Sequence, residues 1–252
     1  MPPIQAIIDR FAPITLDEMA KIRLMRRTDT KFVAQLAQLP ALLEALEADY
    51  FAQRIDGQAI ATYRTTYFDT DDFACFQCHQ KGHRPRTKVR VRTYACSNDS
   101  FLEIKRKDNH GKTHKKRIRV DSLRSVVDQR EGEDFLRERT GWDFDALHPA
   151  LHNEFDRITL VNRAHTERLT LDFNLRFRPS GQSEFTPMSD VLIIELKREG
   201  RSPSQLLPVL RRMRIHPGGF SKYCIATAMT NTTVKINRFK KKFRGVIKSV
   251  ES

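Results

Sequence analysis

The sequence predicts an α+β protein built on a closed antiparallel β-barrel with a charged interior and flanking helices. Three observations lead to this fold class. Strand-like runs follow one another through most of the chain, and short helical segments lie between and around them. Several strands carry Arg and Lys two residues apart, so one face is basic while the other is apolar. The chain is long enough for one large domain or two small ones.

Each element is predicted by its local pattern. Capping residues and apolar spacing predict helices at residues 15–26, 36–50, 69–79, 123–139 and 202–213. Alternation together with β-branched or aromatic content predicts strands at residues 27–33, 61–68, 87–94, 101–107, 113–120, 154–163, 168–178, 191–198 and 220–229. The Asn109–Lys112 turn predicts a hairpin between the fourth and fifth strands, and the sixth and seventh strands predict a second hairpin.

The alternation assigns residues to faces. One face carries mostly charged side chains: Lys88, Arg90, Arg92, Glu103, Lys105, Lys107, Arg168, Asp172, Arg176, Glu195 and Lys197. The other carries Val89, Val91, Leu102, Ile104, Leu169, Leu171, Phe173, Leu175, Phe177, Leu192, Ile194 and Leu196. Each strand alone also fits an apolar core face and a solvated face. Together, the repeated basic pairs favour a sheet that closes with its charged face inward and its apolar face under the helices.

The overall charge points to an anionic partner. The formal net charge is +14, with 30% charged and 39% hydrophobic residues. No apolar stretch approaches the roughly 20 residues of a membrane span, and no signal peptide is recognisable, so a cytoplasmic protein is expected. The four cysteines lack the paired spacing of a zinc site, so ordinary reduced thiols are expected.

The mixture of charges on the basic faces indicates the kind of anion. Guanidinium and ammonium groups bind phosphate oxygens. Carboxylates among them would repel phosphate unless a divalent metal lies between, which is the composition that phosphoryl transfer requires. A nucleic-acid groove has little use for Glu103, Asp172 and Glu195 on its basic face, so no dedicated nucleic-acid partner is expected.

At these residues the sequence resembles the polyphosphate-polymerase domain of the vacuolar transporter chaperone family, within the triphosphate tunnel metalloenzymes. The resemblance covers about residues 25–228. It is carried by the order and spacing of Arg27–Phe32, Tyr67–Thr70, Lys88–Arg92, Glu103–Lys105, Arg163, Arg168 with Leu171 and Asp172, Ile194–Lys197 and Phe220–Tyr223. The family implies a tunnel of about eight antiparallel strands. We expect a single domain over residues 1–234, with a core at 25–229, and the run of lysines predicts a basic tail at 235–252.

The resemblance also implies roles for individual residues. The phosphate ligands would be Lys31, Arg90, Arg92, Lys105, Lys115, Arg117, Arg163, Arg168, Lys197 and Lys222. Glu195 would hold a metal, Mn²⁺ or Mg²⁺, with help from Glu103. Arg27 would support the site, and Asp172 would orient Arg168 or Arg163 rather than bind the metal.

The implied activity is transfer of the ATP γ-phosphoryl group to a growing polyphosphate chain. A metal-dependent triphosphatase on the same scaffold is the first alternative, with Glu103 activating water. A non-catalytic module that binds polyphosphate or nucleic acid is the second. Pro217–Gly219 stands where the family often has a further lysine, so one phosphate contact is missing. The Glu-x-Glu-x-Lys strand of the adenylate-cyclase-like and thiamine-triphosphatase-like relatives is absent, which favours the polymerase branch over those hydrolases. No phosphate-sensing domain or membrane anchor is recognisable, so a membrane-protein partner would supply regulation and membrane association.

Overall fold

The computed structural model describes residues 3–22, 27–200, 202–237 and 239. The helices are α1 (Ile4–Ile8), α2 (Leu16–Lys21), α3 (Leu39–Leu46), α4 (Ala74–Lys81), α5 (Leu123–Asp128), α6 (Glu133–Thr140), α7 (Leu206–Arg212) and α8 (Lys222–Thr230). The strands are β1 (Ala12–Ile14), β2 (Arg27–Gln35), β3 (Tyr50–Gln53), β4 (Ile60–Asp69), β5 (Arg86–Tyr94), β6 (Ser100–Lys107), β7 (Thr113–Val120), β8 (His148–Asn162), β9 (Glu167–Pro179), β10 (Thr186–Met188) and β11 (Val191–Glu199). Among these described helices, none is long and apolar enough to cross a membrane.

One antiparallel sheet forms the centre of the fold. Its main strand order is β2-β11-β9-β8-β4-β5-β6-β7, and β1 with β3 and β10 extend it at the sides. Both predicted hairpins are present, as β6–β7 and β8–β9. The sheet is strongly curled: five strands separate β2 from β6 in the strand order, yet Lys31 of β2 and Lys105 of β6 line the same cavity.

The sheet is open, so the predicted closed barrel is corrected to a curled, incomplete one. In the described chain β7 and β2 are the two ends of the strand order and do not pair. The free edge of β2 is taken instead by the segment before α8: Phe32 bridges to Pro217, and the Gly218 amide donates to the Lys31 carbonyl at 2.8 Å. Proline has no amide hydrogen and cannot continue a ladder, so this contact ends the pairing there.

Helices cover the convex face, as the apolar faces of the strands predict. Helices α1, α3 and α7 pack on the apolar side chains of β2, β9 and β11, including Leu169, Leu171 and Ile194. Helices α5 and α6 pack on Val89 and Leu102 of β5 and β6. Each such side chain contributes about 1.5–3 kcal/mol when it is fully buried, which fixes the apolar face outward under the helices. The charged face is therefore left on the concave side.

A β-bulge in β9 changes the face assignment within that strand. Asn174 has a φ of 51°, and the β8–β9 register shifts between Glu154 and Asp156. Leu171 and Phe173 pack on the convex side, whereas Leu175 and Phe177 belong to the cluster on the concave side. The prediction of one uninterrupted apolar face through β9 was therefore wrong after residue 173.

The last predicted strand, at residues 220–229, is instead the helix α8. Ser221 caps it by accepting a hydrogen bond from the Cys224 amide at 3.3 Å. Most of α8 is buried, from Tyr223 to Ala228, and its neighbours are the concave side chains of β8, β9 and β11. Tertiary burial therefore overrides the β-branched and aromatic composition that predicted a strand.

All five predicted helices differ in their limits; those predicted at 36–50 and 69–79 are α3 (Leu39–Leu46) and α4 (Ala74–Lys81). The helix predicted at 123–139 is two helices, α5 and α6, because Arg130 and Gly132 adopt positive φ between them. The helix predicted from Ser202 begins only at Leu206. The Thr15–Glu18 capping box is confirmed, but α2 ends at Lys21, and residues 23–26 lie outside the described chain. The boundary between domain and basic tail stays a prediction, since most of residues 235–252 are also outside it.

Candidate functional site

Strands β5, β6 and β7 place a row of basic side chains on the concave face. Lys88 lies opposite Lys105, and Arg90 lies opposite Glu103, so the four side chains share one face. Lys115 of β7 pairs with Lys105 and extends the row. The local cause is the strict alternation of these strands, which turns every second residue toward the same side.

The other half of the concave face comes from β2, β8, β9 and β11. Glu195 of β11 lies opposite Lys31 of β2, and their charged atoms are 3.8 Å apart. Lys197 lies two residues further along β11, on the same face as Glu195. Arg157 of β8 pairs with Asp172 of β9. The two halves therefore present cations toward each other across the cleft.

Glu103 is held as a carboxylate between cations. Arg90 donates to it from Nε at 2.7 Å, Lys115 forms a second ion pair with it, and its side chain is only 1% exposed. Burial alone would raise the pKa of the Glu103 carboxyl, but Arg90, Arg92 and Lys115 hold that pKa well below its usual range. Such a carboxylate is a poor general base, because it does not take up a proton near neutral pH.

Asp172 plays the same part on the opposite side of the cleft. Arg157 binds it in a bidentate manner, at 2.5 and 2.8 Å, and Lys222 from the first turn of α8 forms a further ion pair with it. Burial would raise the pKa of Asp172, yet the two cations keep that pKa well below its usual range. Asp172 therefore orients Arg157 and Lys222, and not Arg163 or Arg168 as the sequence predicted.

Glu195 is held by fewer close ion pairs than Glu103 or Asp172. Its contact with Lys31 is long, and its side chain is 19% exposed. Burial would raise the pKa of Glu195, but Lys31, Lys197 and Arg157 lower it to about 2. Within the described ranges no three His, Cys, Asp or Glu residues gather into a metal cage. One open carboxylate does fit a metal of the Mg²⁺ type, which is commonly bound by one or two carboxylates together with substrate phosphates and water.

A cavity of about 370 Å³ opens at one end of this cleft, between α8 and strands β2, β5, β6 and β7. The amino groups of Lys31 and Lys88 are fixed there by the segment that precedes α8. Lys88 donates to Ser221 Oγ at 2.7 Å, and Lys31 donates to the Phe220 carbonyl at 3.3 Å. The cavity is lined by Lys31, His79, Arg86, Lys88, Lys105, Lys107, Thr113, Gly219, Phe220, Ser221, Ile225 and Phe239.

Burial, and after it the charge of neighbouring cations, lowers the pKa of the lysines in the cleft. Burial, and then the charge of Lys31, lower the pKa of Lys105 to about 8. Burial also lowers the pKa of Lys115 to about 8, against the pull of Glu103. The pKa values of Lys88 and Lys197 are lowered mainly by burial as well. An anion in the cleft would relieve this repulsion, so the site is electrostatically prepared for a polyanion.

A buried carboxylate outside the cleft fixes α8. Asp69, at the end of β4, is fully buried and accepts hydrogen bonds from the Cys75 and Phe76 amides at 2.8 and 3.0 Å. It also accepts a hydrogen bond from the hydroxyl of Tyr223 in α8. Asp69 therefore joins α4 to α8, and it sets the position of Ser221 and Lys222 in the site.

Four predicted site residues lie at the margin of the cleft or outside it. Arg163 follows β8 and donates to the Ala48 carbonyl at 2.6 Å, away from the other cations. Arg168 faces Lys197 but donates to the Met19 carbonyl at 3.0 Å. Arg117 lies 4.4 Å over the ring of Phe101. Arg27 forms an exposed ion pair with Asp29 at 2.6 Å.

The structure adds two residues to the predicted set. Arg157 of β8 lies in the cleft, whereas Arg163, the arginine predicted as a ligand from the same strand, does not. The alternation of β8 puts Arg157 on the same face as Leu151 and Phe155, which is the signal that could have found it. Lys88 was recognised on the basic face with Arg90 but was not counted among the ligands. It lies inside the cavity wall.

The VTC domain matches residues 26–231, and the chain therefore belongs to the VTC domain family. No curated protein matched. Among solved structures, a Hippeastrum protein described as an adenylyl cyclase with a dominant triphosphatase activity is 13% identical, with a TM-score of 0.50, and the match covers 82% of this chain and 98% of that one. At this identity the likeness shows the fold alone.

Two bacterial proteins described as candidate adenylate cyclases give similar matches. The one from Bacillus halodurans is 16% identical, with a TM-score of 0.49, and the match covers 78% of this chain and 96% of that one. The one from Vibrio parahaemolyticus is 10% identical, with a TM-score of 0.47, and the match covers 77% and 94%.

Proposed function

We propose that the chain is a metal-dependent polyphosphate polymerase that transfers the γ-phosphoryl group of ATP to a polyphosphate chain. The observation that carries the proposal is the concave face, on which cations from seven elements of the described chain outnumber the carboxylates. Its cations are Lys31, Lys88, Arg90, Arg92, Lys105, Lys115, Arg157, Lys197 and Lys222. Two of the carboxylates, Glu103 and Asp172, are already neutralised by ion pairs, so a large positive excess is left for phosphate oxygens.

The residues of the cleft have distinct tasks in this proposal. The guanidinium groups of Arg90 and Arg157 are held in place by Glu103 and Asp172, so they orient phosphates without reorganising. The ammonium groups of Lys31, Lys88 and Lys105 neutralise the triphosphate. Glu195 would hold a divalent metal, which would supply further positive charge to neutralise the phosphates.

The low pKa values of the carboxylates in the cleft make them weak bases, which favours transfer to an anionic acceptor over hydrolysis. A terminal phosphate of a polyphosphate chain is already a nucleophile and needs no base, whereas water is usually activated by one. Glu103 is the natural base for hydrolysis by its position, but Arg90 and Lys115 keep its pKa far below neutrality. The pKa of Glu195 is also low, at about 2.

Triphosphate hydrolysis is the second candidate, and the activity in the printed description of the Hippeastrum protein favours it. It would release orthophosphate without chain growth. A binding module without catalysis is the third. Its affinity for polyphosphate would survive chelation of metals and would fall steeply with salt.

Glu195→Gln tests whether a metal-dependent enzyme is present at all. The variant keeps the shape of the side chain, so it should remain folded and lose ATP turnover by about 100-fold or more. Glu154→Gln is the matched control, because Glu154 forms ion pairs with Arg64 and Arg176 outside the cleft. Full turnover in the Glu195 variant would show that the metal assignment is wrong. No ATP turnover in the unmodified protein would favour the third candidate, a binding module without catalysis.

A further inference from the structure

Polar side chains form three rows on the convex face of β4, β8 and β9, on the opposite side of the sheet from the cleft. Each row joins one residue from each of these strands, and its central member belongs to β8. After the bulge in β9, the side chains of Arg176 and Arg178 reach this face. The central residues of the three rows are Asp156, Glu154 and His152. The rows therefore differ in the charge at their centre.

The first two rows are each completed by their own carboxylate. Asp156 accepts hydrogen bonds from the hydroxyl of Thr62 at 2.7 Å and from the bulge residue of β9 at 2.9 Å. Glu154 forms one ion pair with Arg64, at 3.5 Å, and another with Arg176. Each carboxylate thus lies between two donors that come from the neighbouring strands.

The third row has a histidine in place of the carboxylate. His152 lies between Thr66 and Arg178, and its Nδ1 is 2.8 Å from the Thr66 hydroxyl. Arg178 donates from Nη1 to the Gln182 carbonyl at 3.1 Å, but its Nε is buried and has no hydrogen-bond partner. Within the described residues, no carboxylate forms an ion pair with Arg178. A buried donor without a partner is costly, so this row favours an acceptor from outside the chain.

A cavity of about 300 Å³ opens at the third row, and Thr66, His152 and Arg178 line it. Two further lining hydroxyls, those of Thr93 and Ser100, lie 2.8 Å apart. Only one of these two hydroxyls donates to the other, so the second hydrogen is available to a ligand. The guanidinium group of Arg178 lies 5.1 Å over the ring of Phe185, another lining residue, which holds that group in place. The cavity therefore presents hydrogen-bond donors in a preformed arrangement.

The charge around the third row is positive. The charged groups near His152 come from β4, β8, β9 and the segment before α5, and they are Arg64, Glu154, Arg176, Arg178 and Asp121. Three of these groups are guanidinium ions and two are carboxylates, and Glu154 is already shared by two of the arginines. Burial, and then the charge of Arg178, lower the pKa of His152. An anion beside the ring would reverse this effect.

We propose that this cavity binds a small free oxyanion of the orthophosphate or sulfate class, which takes the place of the missing carboxylate between His152 and Arg178. The anion accepts hydrogen bonds from Arg178 Nε, from the ring of His152 and from the pair of hydroxyls. The inference does not depend on the proposed function, because none of the cations assigned to the cleft lines this cavity. Binding would join β8 to β9, the strands whose Arg157 and Asp172 form an ion pair in the cleft.

The test follows the ring signals of His152 by NMR through a pH titration, in sodium sulfate and in sodium chloride of equal ionic strength. Sulfate is the probe, because its charge stays constant over the range in which a histidine titrates. Loss of the signals in His152→Gln assigns them. Sulfate should raise the pKa of His152 by about one unit relative to chloride, since an adjacent anion favours the imidazolium. Sulfate bound in the cleft lies on the other face of the sheet and should not produce this shift.

Two variants localise the effect. Arg178→Gln should by itself raise the pKa of His152 in chloride, and it should remove most of the difference between the two salts. Arg176→Gln is the matched control, because that guanidinium is already paired with Glu154, and it should leave the difference between the salts unchanged.

Three results would overturn the inference. Equal pKa values of His152 in the two salts in the unmodified protein would do so without any variant. A difference that survived in Arg178→Gln would show that Arg178 does not hold the anion. A difference that disappeared in Arg176→Gln as well would show that sulfate acts on the charge of the whole face and not in this cavity.

Discussion

At the scale of single residues, the site depends on buried carboxylates that are paired with cations. Glu103 and Asp172 are buried among cations, and each holds at least two of them. Removing such a carboxylate leaves buried charges without compensation, which costs more than the pair itself contributes. The same residues that orient the phosphate ligands are therefore also needed for stability.

Asp172→Asn should destabilise the protein by about 3–5 kcal/mol, because Arg157 and Lys222 lose their shared partner in the interior. Urea unfolding with an unchanged m-value measures this loss. Glu154→Gln removes a partner of the exposed Arg176 and should cost less than about 1 kcal/mol. If the two variants were equally stable, the ion pairs of Asp172 with Arg157 and Lys222 would not contribute to stability as described above.

The lowered lysine pKa values predict how binding depends on pH. Polyphosphate binds the protonated lysines, so its affinity should fall by about tenfold as the pH rises from 7 to 9, through the pKa of Lys105 and Lys115 at about 8. Binding near pH 8 should also take up protons. The stability of the free protein changes with pH in the opposite direction to the affinity. The unfolded chain keeps the lysine protons to higher pH than the folded protein does, so the free energy of unfolding rises with pH above about 8.

Calorimetry in two buffers of different ionisation enthalpy measures this proton uptake. Replacing Lys105 and Lys115 together by Arg, which stays charged, should flatten the pH profile. Lys116→Arg, an exposed neighbour on β7, is the control and should leave the profile unchanged. A profile that stayed steep in the double variant would assign the titration to other groups.

At the scale of elements, the sequence predicted the strands well and the last helix wrongly. Strict alternation in Lys88–Arg92 and Glu103–Lys107 was sufficient to place their basic faces together. Alternation did not predict the bulge at Asn174, because a bulge inserts one residue with positive φ and the side-chain pattern does not show where this happens. Nor could it foresee α8, because burial against distant strands decides that segment. Arg157 was missed for a related reason: its partner Asp172 is identified only by the register of β8 and β9.

Tyr223→Phe tests the link between α8 and the rest of the fold. The hydroxyl of Tyr223 donates to the buried Asp69, so its removal should cost about 1.5–3 kcal/mol of stability. It should also weaken tripolyphosphate binding, because Ser221 and Lys222 lie at the start of the same helix. Tyr94→Phe, which removes only a weak contact from Arg117, should do neither. A stable Tyr223 variant with normal binding would show that Asp69 is not required to position α8.

At the scale of the whole molecule, a curled sheet brings together cations from strands that are far apart in the chain. Helices bury the convex face, and the concave face is left to a charged cleft rather than to a core. The sequence predicted this inversion from the repeated basic pairs, but it predicted a closed barrel. The contact of Pro217 and Gly218 with the edge of β2 keeps the sheet open. That contact joins segments almost two hundred residues apart, so no local pattern in the sequence predicts it.

The most direct test of the proposed function is to incubate the purified protein with ATP and Mn²⁺ and to analyse the products. Polyphosphate is separated on a gel while free orthophosphate is measured in the same reaction. The account predicts a ladder of long chains that depends on the metal and disappears in Glu195→Gln. Orthophosphate without chains would contradict it and identify a triphosphatase on the same scaffold.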